Sequence, residues 1–165
     1  MSLPTYKEPQ SGLHVPVNMT EIYEYEKMIH AIATINNLNG AFYMREFLNA
    51  KELASSFYCR LMYDYEQSKN KAREAQAIAY LEKADEYLKE KNIKSTDEAK
   101  KQYVQIDPDY KAAKDRQDMV EALMTLMQNK VKKFQDAHDD VKKIYDHTRD
   151  ANRSITGAAS GKDGQ

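Results

Sequence analysis

The chain has 165 residues, 41% hydrophobic and 31% charged, and a formal net charge of −1. That balance excludes a polycation and an acidic mimic of DNA, so any nucleic-acid binding has to come from a local patch. A single cysteine, Cys59, excludes an internal disulfide framework and fits a reducing compartment, and no apolar run is long enough to span a bilayer.

With only 5 Gly and 4 Pro, the composition favours helices, and no alternating strand or hairpin turn stands out. The expectation is an all-α protein, an elongated helical bundle or hairpin of long amphipathic helices that completes its core by homo-oligomerising. Residues 1–17, punctuated by Pro4, Pro9, Gly12 and Pro16, read as a flexible arm without its own packing. They lack the apolar core of a signal peptide, so a cytoplasmic location is expected, or the host cytoplasm if a phage encodes the chain. A single helical domain then covers residues 18–151.

Asn18 to Glu21 offers an N-cap and a capping-box partner. The helix after it carries Ile22, Tyr25, Met28, Ile29, Ile32, Ile35 and Leu38 on one face. Asn36 to Asn39 ends it, with Gly40 as a left-handed cap.

A second helix begins near Ala41 and runs to about Lys91. Phe47, Ala54, Phe57, Tyr58, Leu61 and Tyr65 form its first apolar face, and Ala77, Leu81, Ala84 and Leu88 a later one. At about 100° per residue the two faces differ by roughly a third of a turn. A kink near the polar stretch Glu66 to Lys71, or a change of packing partner, accounts for the difference. Asn92-Ile93-Lys94 ends the element, and Ser95 with Glu98 signals a short helix through Ala99 and Tyr103.

Asp107-Pro108 opens the longest helix, which runs to about Thr148: a side-chain oxygen caps it, and a proline sits where its missing N–H costs nothing. Val120, Leu123, Met127, Val131, Phe134, Val141 and Ile144 lie on its apolar face, wider than a two-position coiled-coil seam. The tail, residues 152–165, is rich in Gly, Ala and Ser and reads as disordered.

Catalytic and metal signatures are weak. His138-Asp139-Asp140 has no companion ligands at a recognisable spacing, so His138 reads as a packing residue and no metal is expected. There is no Glu-x-x-His pair for a di-iron bundle and no glycine loop to cradle phosphate. Cys59, in an apolar helical setting, reads as an inert buried thiol. No cofactor is expected, and an enzyme is not. Lys130 to Lys133 is the densest basic cluster, but most lysines alternate with acids, as on a solvated helix face.

The second helix carries a more specific pattern. Lys69, Arg73, Gln76, Tyr80, Lys83 and Tyr87 are spaced by four, three, four, three and four, so they share one line. Cations interleaved with tyrosines suit single-stranded nucleic acid, because the cations neutralise phosphates and an aromatic face stacks a base. The same tyrosines could instead widen the adjoining apolar face, with lysine stems covering it.

The run Lys71-Ala72-Arg73-Glu74-Ala75-Gln76, followed by Leu81-Glu82-Lys83-Ala84-Asp85-Glu86-Tyr87-Leu88, resembles the central part of UvsY-like phage recombination mediators. Asp115 to Tyr145, with Leu123, Val131, Phe134 and Lys142-Lys143, is similar to their C-terminal helix, and the likeness spans roughly residues 41–148. The resemblance implies a small helical protein that assembles into a ring, binds single-stranded DNA and helps load a RecA-like recombinase. It carries DNA binding onto Lys69, Lys71, Arg73 and Lys83. Glu66, Glu74 and Glu82 dilute the basic segment, and the chain extends further at its N-terminus than the family pattern. The competing expectation is a helical protein–protein interaction module, such as a phage assembly factor or an inhibitor of a host protein, that ignores nucleic acid.

Overall fold

The computed structural model describes residues 6–7, 14–15, 17–36 and 38–159. The protein is all-α, apart from one two-residue antiparallel pairing of β1 (Tyr6–Lys7) with β2 (His14–Val15). The helices are α1 (Thr20–Ile29), α2 (Gly40–Ile78), α3 (Ala84–Glu90), α4 (Asp97–Ile106) and α5 (Pro108–Ala159). A 3-10 turn at Ile32–Thr34 follows α1, and a π-helical turn at Ala79–Lys83 joins α2 to α3. Where the sequence suggested one helical domain, the chain divides into two compact units, Met1–Phe57 with Met127–Gln165 and Tyr58–Leu126. α2 and α5 contribute residues to both.

In the first unit Ile22 of α1, Phe47, Ala50 and Ala54 of α2, and Met127, Phe134, Ala137 and Val141 of α5 are buried. Each of the large side chains contributes roughly 1.5–3 kcal/mol by leaving water. Val15, Val17 and Met19 are buried as well, so the end of the stretch read as an unpacked arm belongs to the core. Val15 lies in β2 whereas Met19 already has helical backbone geometry, so no single period marks the three in the sequence.

The first helix stops earlier than its apolar pattern suggests, at Ile29, and Leu38 is exposed rather than packed. Local side chains compete for the backbone there. Thr34 donates to the carbonyl of Ala31, and Asn36 accepts from the N–H groups of Leu38 and Asn39 while Asn39 accepts from that of Asn36. At the start of α1, Asn18 accepts from the N–H of Thr20. The helix cap itself falls at Met19, without a side-chain bond, so the expected capping box is absent.

Gly40 opens α2 and is not a left-handed cap. A Cβ at this position would lie 2.7 Å from Cδ2 of Tyr145, so glycine is needed for close approach by α5. That helix continues to Ala159, which makes residues 152–159 helical where a disordered tail was expected. Residues 160–165 lie outside the described residues.

The second unit buries Leu61, Ala72, Ala79, Ala84, Leu88, Val104 and Val120. The π turn explains the angular offset between the apolar faces. Ala84 donates its N–H to the carbonyl of Ala79, five residues back, so the turn takes in one extra residue. Leu61, Ser68, Ala72 and Ala79 on one side of it, and Ala84 and Leu88 on the other, thereby join one buried line. Ala77 and Leu81, expected in that face, are exposed instead, Leu81 by 70%. The offset is absorbed at Ala79–Lys83 and not at Glu66 to Lys71, where α2 remains regular.

Asn92, with a φ of 55°, ends α3, and the N–H of Ile93 reaches back to the carbonyl of Leu88. Thr96, not Ser95, caps α4 by accepting from the N–H of Ala99, while Ser95 donates to Asp85. Asp107 caps α5 as its sequence indicated, accepting from the N–H groups of Asp109 and Tyr110 at 3.1 and 2.9 Å. Among the described residues no helix is long and apolar enough to cross a membrane.

Candidate nucleic-acid interface

The basic-aromatic line on α2 and the π turn splits into two halves with different employment. Tyr80 donates to Asp97 at the start of α4, and that bond is the main reason its hydroxyl is held above its ordinary pKa. Lys83 reaches Asp109 and Asp107, the latter at 3.2 Å. Asp109 first, with Asp107, raises the ammonium pKa against the opposing effect of desolvation. Tyr87 stacks on Tyr103 with ring centroids 4.7 Å apart. These three side chains, read from sequence as nucleic-acid contacts, brace the π turn and α3 against α4 and the start of α5.

Asp107 is the centre of that bracing. Burial pushes its carboxyl up, but the N–H of Tyr110, Lys83 and the Tyr103 hydroxyl outweigh burial and hold it below the ordinary carboxylate range. An aspartate 1% exposed is tolerable only because both oxygens are bonded in this way.

The other half of the line remains available. Lys69 lies 3.6 Å from Glu66 and over the ring of Tyr65. Lys71 and Arg73 are exposed and have no hydrogen bond or ion pair among the described residues. Arg73 also borders a groove of about 350 Å³ between the end of α2, the π turn and α4. Gln76, Ala77, Tyr80 and Leu81 complete one side, and Lys101, Val104 and Gln105 the other. Lys101 carries only a surface ion pair with Asp97 at 3.0 Å. Sequence spacing found Arg73, Gln76 and Tyr80. Lys101 was visible only as half of a Lys-Lys pair, and Gln105 carried no signal, because their place opposite α2 is set by the tertiary fold.

Elsewhere the candidates become structural. Glu26 of α1 accepts from Lys130 and Lys133, both at 2.7 Å, so two of the three lysines of the densest basic cluster are paired within the first unit. His138 is half-buried with Nδ1 3.0 Å from Asp139 Oδ1, and no group of three potential metal ligands occurs among the described residues. Cys59 is exposed, contrary to the buried thiol expected from its neighbours. Of the long-helix face, Val120, Met127, Phe134 and Val141 are fully buried, and Leu123, Val131 and Ile144 are half-buried.

The fold and site define an all-α protein with a cation-flanked groove. No protein-family model, curated protein or solved structure matches the chain.

Proposed function

We propose that this protein is a non-catalytic binding protein for single-stranded DNA that acts as a recombination mediator. The observation that carries the reading is Arg73, a cation without an ion pair among the described residues, on the rim of a groove lined by Tyr80 and by Lys101 of a second helix. Lys71, likewise without an ion pair among the described residues, lies two positions away on α2. Cations on the rim suit phosphates, and an aromatic and apolar wall suits an unpaired base. Assistance to a RecA-like recombinase rests on the resemblance of Lys71 to Gln76 and Leu81 to Leu88 to the UvsY-like family. Assembly into a homo-oligomer rests on it too. The α5 face is occupied within the chain, so self-association would draw on other surface.

A second reading, a protein-interaction module without nucleic acid, draws on the exposure of Leu81 and Ile106, 70% and 54% respectively. Fluorescence anisotropy with a labelled single-stranded oligonucleotide separates the two. Micromolar, salt-sensitive binding is expected, weakened about tenfold by joint substitution of Lys71 and Arg73 with alanine, as loss of charge-assisted contacts requires. Absence of binding, or binding indifferent to that pair, would favour the protein-interaction module.

A further inference from the structure

We propose that the groove between the π turn and α4 holds one unpaired nucleobase, with the flanking phosphates on Arg73 and Lys101. This deepens the single-stranded-binding reading and rests on it. The two cations stand on opposite walls, one from α2 and one from α4, so a strand crossing the groove meets a positive charge on each side. Between them the lining is Ala77, Leu81 and Val104, with the side-chain amides of Gln76 and Gln105, while the carboxylate of Asp97 adjoins one edge, bonded to Tyr80 and Lys101.

An amide carries both donors and an acceptor, the complement that base edges present. A volume of about 350 Å³ accommodates a base. The wall is also rigid. Tyr80 is anchored through its hydroxyl to Asp97, and Lys100 lies 5.7 Å over its ring centroid while pairing with Asp85. The π turn builds the site, because its extra residue leaves Leu81 exposed at the groove while Ala79 and Ala84 stay in the core.

The test compares, on the full chain, a labelled single-stranded oligonucleotide with one of equal length whose bases are replaced by abasic spacers. Both keep every phosphate, and DNA and RNA versions are run in parallel. The intact strand is expected to bind about tenfold more tightly than the abasic one, the scale of base stacking on a protein surface. Leu81→Ser, at an exposed position, should narrow that difference while circular dichroism and the melting temperature stay near wild type. Equal affinity for both strands, lost together in Arg73→Ala, would overturn the base subsite and leave the phosphate-binding reading intact. No binding of either strand would overturn both. Binding instead of an acidic amphipathic peptide, abolished by Leu81→Ser, would reassign the groove to a protein partner and overturn the proposal.

Discussion

Glu26 shows how a single residue ties distant parts of the chain together. Its carboxylate receives Lys130 and Lys133, and it is 16% exposed with Lys130 at 14%, so the pairing is screened far less than a surface ion pair. Burial raises the Glu26 pKa, but the two lysines outweigh burial and hold it below its ordinary value of 4.5. A group whose pKa is lowered by folding contributes stability above its unfolded value and loses that contribution as pH falls through the folded value. Glu26→Gln should therefore lower unfolding stability at pH 7 by about 1.5–3 kcal/mol, the range for a hydrogen bond to a charged group. Denaturant melts at pH 7 and at pH 3 check the sign: the deficit should be present at the first and shrink at the second. A deficit equal at both pH values would show that shape, not charge, is what Glu26 supplies. None of this pairing was legible in the sequence, where the lysines alternate with acids over a hundred residues from Glu26. Asp107 was legible as a cap because its N–H partners are local, whereas its bonds from Lys83 and Tyr103 were not.

The π turn is the element on which the second unit depends. Apolar periodicity had shown that the Leu61 face and the Leu88 face do not coincide on a straight helix, and that inference was sound. Its location was not legible, because nothing about Ala79 to Lys83 differs in propensity from the helix around it. What decides the matter is tertiary: Tyr80 and Lys83 are both held from α4 and the start of α5, so the surplus residue has to lie between the two buried alanines. The same surplus residue took Lys83 and Tyr87 out of the line that four-three spacing had drawn, while Arg73, Gln76 and Tyr80 stay together at the groove. Deletion of Leu81 is accordingly expected to convert the turn to regular α-helix with Ala79 and Ala84 still buried, changing stability by no more than about 1 kcal/mol. Insertion of one alanine at the same point should cost several times more, since it rotates Ala84 and Leu88 out of the core. Thermal melts of the two variants decide it, and a deletion as damaging as the insertion would refute the role given to the π turn.

At the scale of the whole molecule, the all-α fold followed from composition and periodicity, with Asp107 the one helix cap read correctly, whereas the division into two units did not. α2 and α5 run through both units, so no linker or shift of composition marks the boundary near Phe57 and Met127. The net charge of −1 makes the same point about binding. With cations and acids nearly balanced, long-range attraction to nucleic acid is small, and affinity has to come from a few charges placed beside the groove. Arg73 and Lys101 are those charges, with Lys69 and Lys71 as further cations on α2, since Lys83, Lys100 and Lys130 are committed inside the protein. For two to four phosphates neutralised on a single strand, the slope of log affinity against log salt should fall between roughly −1.4 and −2.8. Anisotropy titrations from low to moderate potassium chloride measure it directly. A slope near zero would mean that the apolar lining of the groove, and not its charges, drives association, which is the behaviour of a protein-interaction surface. A slope far steeper than this range cannot come from one copy of the site. It would require several copies bound side by side along the strand, and so would supply the evidence for oligomerisation that the buried α5 face does not.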